Sequence, residues 1–158
     1  MHTLTLYTAK YLVFIIILIA FAYWLTLPKK QKINLVIFGF FAALIALILA
    51  KVGAALYYDP RPFVTHHVTP IYPHGPDNGF PSDHTLLGSF VAVSVYYMNK
   101  KLGIGLFVLS ALVGISRVAG HIHSPIDIIG SMVFAVIGGL LATLITPRAA
   151  KYLRRTVA

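Results

Sequence analysis

The chain contains no cysteine and no glutamate, and its only acids are Asp59, Asp77, Asp83 and Asp127. Without cysteine, disulfides and thiolate metal sites are excluded. Without glutamate there is no His-Glu-x-x-His, which leaves metalloprotease chemistry poorly supported. Charge of either sign is scarce at 11%, against about 25% in a soluble domain. Apolar residues take its place: 58% of the chain is hydrophobic and the mean hydropathy is +0.83. A chain of 158 residues is one domain's worth, and residues 1–158 read as a single integral-membrane domain. The net charge of +9 does not point to nucleic acid, because the basic residues flank apolar runs and so orient a membrane protein instead.

Five apolar runs stand out: Tyr11 to Leu27, closed by Pro28; Ile33 to Tyr58; His84 to Met98; Leu102 to Ile115; and Pro125 to Thr146, closed by Pro147. Unpaired backbone is too costly in lipid for these to be anything but helices. The second is long enough to cross a bilayer with tilt, about 39 Å at 1.5 Å per residue. The expected fold is therefore all-α, a polytopic membrane bundle of about five transmembrane helices. Ala20-Phe21-Ala22 resembles a signal-peptide cleavage site, but the apolar run continues past it through Trp24 to Leu27.

Five spans put the two termini on opposite sides. One side then receives Lys29, Lys30, Lys32, Lys100, Lys101, Arg148, Lys151, Arg154 and Arg155, nine of the thirteen Lys and Arg. The positive-inside rule makes that side cytoplasmic. The other side receives Lys10, Arg61 and Arg117, with Lys51 near that end of the second run, together with all four acids and all seven histidines. A protein needing only solubility would scatter these groups. Their clustering predicts one polar site at the extracytoplasmic surface of a plasma (inner) membrane, built from segments 59–83 and 116–124.

Three stretches carry the chemistry: "KVGAALYYDPRP", with Lys51 and Arg61; Pro81-Ser82-Asp83-His84; and "SRVAGHIHSPID", with Ser116, Arg117, His123 and Asp127. Each has a bland reading. Lys51 could snorkel to the interface, and Arg61 could be a loop arginine beside Asp59. Ser82 reads as a helix N-cap, with Asp83 an acid favoured by the helix dipole. The same helix start is also an anion site, its free N–H groups pointing outward beside His84. Ser124 reads as a second N-cap, with Pro125 first and Asp127 third in the helix. That explains Asp127 without any function, but not His123 before the cap or Arg117 six residues earlier. Two histidines, two arginines, a lysine, an aspartate and helix N-termini on one membrane face suit phosphoryl transfer through a phosphohistidine.

The three stretches resemble the signature of the type-2 phosphatidic acid phosphatase superfamily, K-x6-R-P, then P-S-G-H, then S-R-x5-H-x3-D. Ser116-Arg117, five residues, His123, three residues and Asp127 match the third element in full. The second matches with Asp83 in place of glycine. In the first, Ala54 stands where the lysine is expected and Lys51 lies one helical turn earlier. Within that superfamily, "PDNGFPSDHT" after "DPRPF" is similar to bacterial undecaprenyl-diphosphatases of the bacitracin-resistance type.

The resemblance implies a metal-independent lipid phosphatase without cofactors, acting on a phosphorylated membrane lipid in the bilayer. His123 is the expected nucleophile, Asp127 the acid that sets its tautomer, and His84 the proton donor and later base. Lys51, Arg61, Ser82, Asp83 and Arg117 are the expected substrate-binding residues, with Asp83 either holding His84 charged or deterring extra anionic charge. Undecaprenyl diphosphate is the expected substrate. Lipid A and phosphatidylglycerophosphate are alternatives under the same chemistry. Vanadium-dependent haloperoxidases share the motifs but are soluble. A reading of another class is a metal-binding or transport protein, since His121-x-His123 is compact and His66, His67 and His74 lie on the same side. Tyr57, Tyr58, Phe63, Tyr72 and Phe80 are expected at the rim of a lipid groove or in an interfacial aromatic belt.

Overall fold

A computed structural model describes residues 2–156, with side chains for residues 3–147. Its helices are α1 (His2–Thr26), α2 (Lys29–Leu56), α3 (Pro62–Thr65), α4 (Asp83–Tyr96), α5 (Lys100–Ala119) and α6 (Pro125–Thr156). Four of them, α1, α2, α5 and α6, are long and apolar enough to cross a membrane. The remaining long run became α4, only 14 residues, about 21 Å at 1.5 Å per residue. That is short of the roughly 30 Å hydrocarbon core.

Helix α4 can be short because protein surrounds much of it. Val13 and Ile16 of α1, Ala92 and Val95 of α4, and Leu106 and Val113 of α5 form one buried cluster. On the other flank Leu86 of α4 meets Ala46 and Ala50 of α2 and Ala135 of α6. Small hydroxyls join α4 to α5 inside the bundle. Ser89 and Ser110 hydrogen bond at 2.9 Å, and the Ser110 hydroxyl donates to the Thr85 carbonyl at 3.1 Å. In an apolar interior these bonds satisfy groups that would otherwise be orphaned. Helix α2 packs along α6 through small residues at helical spacing, Ala42, Ala46 and Ala50. At Gly138 of α6 an added Cβ would lie 2.6 Å from the Ala42 carbonyl oxygen, so only glycine lets the two backbones come this close. The opposite faces, such as Phe14, Leu18 and Phe21 of α1 and Ile129, Val133 and Leu140 of α6, are exposed as lipid-facing surface.

The helix ends differ from the apolar runs in ways that chain chemistry explains. Helix α1 starts nine residues before the run at Tyr11, and α5 extends beyond its run to Ala119. Both extensions include residues that a hydropathy reading passes over. Asn99 caps α5, its side chain accepting from the Leu102 N–H at 3.1 Å. Pro147, expected to end the last span, lies inside α6 instead. A proline removes one backbone hydrogen bond, a loss that membrane helices tolerate. The basic side chains at 148, 151, 154 and 155 lie outside the described side chains.

Segments 57–82 and 120–124 meet at one end of the bundle, as the clustering of polar residues predicted. The Phe63 N–H donates to the His121 carbonyl at 3.1 Å and the Ile71 N–H to Gly120 at 3.0 Å. Pro60 and Asn78 form an isolated antiparallel bridge that closes the longer loop on itself.

Candidate active site

The site grows from the start of α6. Asp127, third in that helix, accepts the Ser124 N–H on Oδ2 at 2.9 Å, as a helix-capping acid does. The same oxygen sits 3.0 Å from Nδ1 of His123. Capping and imidazole orientation are thus one arrangement, and the bland reading of Asp127 is also what positions it beside the ring. A carboxylate on Nδ1 makes that nitrogen the protonated one and leaves the Nε2 lone pair free. Both groups are buried: His123 is 2% exposed and Asp127 0%. Burial is the main force holding the His123 pKa below its usual 6.5, and the two arginines lower it further; the bond to Asp127 opposes them.

Nε2 of His123 faces two guanidinium groups, Arg117 Nη2 at 3.1 Å and Arg61 Nη1 at 3.3 Å. Arg61 and Arg117 are themselves buried, so each needs partners. Arg61 donates from Nε to Asp77 at 2.7 Å and from Nη1 to the Ile122 carbonyl at 3.1 Å. That bond holds the largely exposed Asp77 below the usual carboxylate range. Arg117, projecting from the end of α5, donates from Nη1 to the Tyr72 hydroxyl at 2.6 Å and to the Ala9 carbonyl at 3.2 Å. Its Nε has no partner and neither does Oδ1 of Asp127, although both are buried. An unpaired buried guanidinium N–H is a donor an incoming anion can use.

Helix α4 contributes its N-terminus. Ser82 is fully buried at the N-cap, but its side chain makes no capping hydrogen bond. Its hydroxyl accepts from Thr85 Oγ1 at 3.2 Å, its carbonyl accepts from the Ser131 hydroxyl at 2.9 Å, and its N–H lies 3.4 Å from the Asp127 carbonyl. Ser82 therefore ties the start of α4 to the start of α6, and its side chain leaves the first-turn N–H groups uncapped. His84 is half-buried, within electrostatic reach of Arg117, His123 and His74. Asp83 is exposed.

Of the expected residues, Arg61, Ser82, His84, Arg117, His123 and Asp127 are brought to one end of the bundle. Lys51 does not join them. It is exposed on the face of α2 that also exposes Leu47, Ile48 and Val52, and makes no ion pair among the described residues. Ala54, where the signature carries lysine, offers only its carbonyl, which accepts from Asn78 Nδ2 at 3.1 Å.

Several contributors had another role, or none, in the sequence reading. Asn78 is the clasp of the longer loop: its Oδ1 accepts the Asp59 and Phe80 N–H groups, both at 3.0 Å, and its Nδ2 also donates to the Tyr57 carbonyl at 3.0 Å. The "PDNG" turn composition was the only hint of it. Gly79, next in sequence, is there because an added Cβ would lie 2.8 Å from Asp127 Oδ2. The Ser124 hydroxyl donates to Asp59. Burial lifts the Asp59 carboxyl above its usual range, against that hydrogen bond and with help from the nearby Asp127. His74 places its ring 6.3 Å from that of His123, edge to face. Tyr72, expected only at a rim, hydrogen bonds the buried arginine. Phe80 packs edge-on against Tyr57 at 5.1 Å and Phe134 at 5.8 Å, under the loop. Among the described residues no group of three or more His, Asp or Glu is placed to hold a metal ion.

The chain is 32% identical over 142 residues to the undecaprenyl-diphosphatase BcrC of Bacillus subtilis (strain 168), covering 89% of this chain and 72% of that protein. It is 32% identical over 143 residues to the bacitracin transport permease protein BcrC of Bacillus licheniformis, covering 90% and 70%. It is 31% identical over 146 residues to the putative undecaprenyl-diphosphatase YbjG of Escherichia coli (strain K12), covering 92% and 73%. No solved structure matches it. Residues 34–151 match the PAP2 superfamily, a stretch that holds both arginines, both motif histidines and Asp127, and the chain belongs to that superfamily as a multi-pass membrane protein with phosphatase-type chemistry.

Proposed function

We propose that the protein hydrolyses undecaprenyl diphosphate to undecaprenyl phosphate and phosphate, through a phosphohistidine, at the extracytoplasmic face of the plasma membrane. The observation that carries this reading is the environment of one atom. Nε2 of His123 has its lone pair directed at two buried guanidinium groups while Asp127 holds the other ring nitrogen. Nucleophile and anion cradle therefore coincide.

The terminal phosphoryl oxygens take the Arg61 and Arg117 N–H groups, the unpaired Arg117 Nε and the first-turn N–H groups of α4. Nε2 attacks phosphorus in line, the N–P bond forms, and the bond to the leaving oxygen breaks. Asp127 stabilises the positive charge that the ring acquires. His84 gives its proton to the leaving oxygen, then takes one from water as the water oxygen attacks the phosphohistidine. Phosphate leaves and His123 returns to the neutral state. Guanidinium forks supply the charge neutralisation, since they match phosphate oxygens in pairs. The lipid tail stays in the bilayer beside the exposed helix faces.

The orientation rests on the basic residues at 29, 30, 32, 100 and 101, all at the end of the bundle away from the site. The choice of lipid rests on the relatives named as undecaprenyl-diphosphatases and on the resemblance of "PDNGFPSDHT" after "DPRPF" to proteins of that type. The deciding experiment is phosphate release by the purified protein from undecaprenyl diphosphate, lipid A and phosphatidylglycerophosphate, with His123→Ala as control. Preference for undecaprenyl diphosphate, lost in the variant, is the expected result. Preference for another lipid overturns the substrate assignment, and full activity in the variant overturns the covalent mechanism.

A further inference from the structure

The superfamily signature brings a lysine to the phosphate from the helix that here is α2, and this chain has Ala54 at that position, with Lys51 facing away. A cation arrives from a different helix. Arg117 fastens α1 to the site through the Ala9 carbonyl, and the next residue is Lys10. Its Nζ lies 6.0 Å from the centre of the Tyr72 ring, the same distance as Cζ of Arg117. The Tyr72 hydroxyl is the one that Arg117 holds at 2.6 Å. Tyr72 thus bridges Lys10 to the cradle. Lys10 also lies 5.3 Å from the Tyr11 ring, is exposed, and pairs with no acid among the described residues. Helix α1 precedes the residues that match the superfamily, 34–151, so its motifs do not account for this lysine.

We propose, resting on the phosphatase reading above, that Lys10 is the third cation of the substrate site and binds the lipid-proximal phosphate of a diphosphate lipid. The terminal phosphoryl group occupies the cradle at Nε2. The second phosphate then lies toward the lipid, where α1 presents Lys10 on its exposed face. As the bond between the phosphates breaks, negative charge accumulates on this leaving phosphate. An ammonium on a flexible stem can follow it. A lipid monophosphate has no group there, so Lys10 sets a preference for diphosphates.

The test compares purified full-length wild type with Lys10→Met, Lys10→Gln, Lys10→Arg, Lys51→Met and His123→Ala in detergent micelles, each checked by thermal melting. Phosphate release from a polyprenyl diphosphate is measured together with inhibition by inorganic diphosphate and by inorganic phosphate. Lys10→Met and Lys10→Gln are expected to lower kcat/KM on the lipid by about 10–100-fold, at or below the roughly 10²–10³-fold loss of a fixed transition-state donor, because the ammonium is exposed and flexible. They should weaken inhibition by diphosphate about 10-fold and leave inhibition by phosphate unchanged. Lys10→Arg should retain most activity and Lys51→Met nearly all. The proposal is overturned if Lys10→Met behaves as wild type, if both inhibitors weaken equally, or if the loss follows Lys51→Met. Those outcomes leave the phosphatase reading intact. A wild type that releases no phosphate, or a fully active His123→Ala, overturns the reading and the proposal together.

Discussion

Arg61 and Arg117 converge on a single nitrogen, Nε2 of His123, from a loop that follows α2 and from the end of α5. Two cations this close, both buried, are stable together because each has its own partners. Asp77 and backbone carbonyls hold Arg61, while Tyr72 and the Ala9 carbonyl hold Arg117. An incoming phosphate meets donors that are already in place.

Replacement of either arginine by lysine should be costly, because an ammonium cannot reproduce several fixed N–H directions. For Arg61→Lys and Arg117→Lys we expect kcat/KM on the diphosphate lipid to fall by about 10²-fold or more. Arg117→Ala should also lower the melting temperature in detergent, since it removes the bonds that tie α1 (at the Ala9 carbonyl) and the loop (at the Tyr72 hydroxyl) to the end of α5. Arg61→Ala should lower it too, because the exposed Asp77 rehydrates but the buried Ile122 carbonyl loses its donor.

The state of His123 sets the acid side of the pH profile. Its pKa is lowered in the folded protein, chiefly by burial, so it remains a neutral nucleophile below pH 6.5. The acid limb of single-turnover phosphohistidine formation should therefore fall below the ordinary imidazole range. The linked stability runs the same way. The unfolded chain takes up its proton first as pH drops through about 6.5, so this group's contribution is full above that value and declines below it. An acid limb of histidine phosphorylation centred above 6.5 would contradict the assignment.

Asp127→Asn should preserve the cap, since an amide oxygen can still accept the Ser124 N–H, but it weakens control of the His123 tautomer. We expect kcat to drop by roughly 10²–10⁴-fold with the melting temperature nearly unchanged. A loss confined to KM would point to a binding role instead.

Gly79→Ala tests how closely the loop must approach α6. The new methyl would meet Asp127 Oδ2 at 2.8 Å and the Asp59 carbonyl oxygen at 3.1 Å. Overpacking of this kind costs about 1–3 kcal/mol, and a displaced acid costs rate as well. Both melting temperature and kcat should fall, with Gly79→Ser no better than alanine.

His84→Ala separates leaving groups. A lipid monophosphate departs as an alkoxide and needs the proton, whereas a diphosphate departs as a phosphate and needs it less. The variant should lose more rate on monophosphates, the reverse of the Lys10 pattern. Equal losses on both would remove His84 from the role of acid.

Much was legible in the linear chain because membranes impose simple rules. Apolar runs had to be helices, charge had to sort by side, and the motif spacing placed His123 and Asp127 one helical turn apart. That spacing alone brings the acid to the ring, through the local geometry of a capped helix start. The roles of Asn78, Gly79, Tyr72 and His74 were not legible, since each depends on a partner supplied by a different part of the chain. The burial of two arginines against one imidazole was also a tertiary outcome, produced where α5, α6 and the long loop meet. So was the fate of the lysines. One turn of helix separates Lys51 from Ala54, a departure that roughly keeps the helix face, yet Lys51 is exposed on the outward side of α2, and the docking of α1 brings Lys10 beside the site. Periodicity along one helix tells which residues share a face; only the packing of helices decides what that face meets.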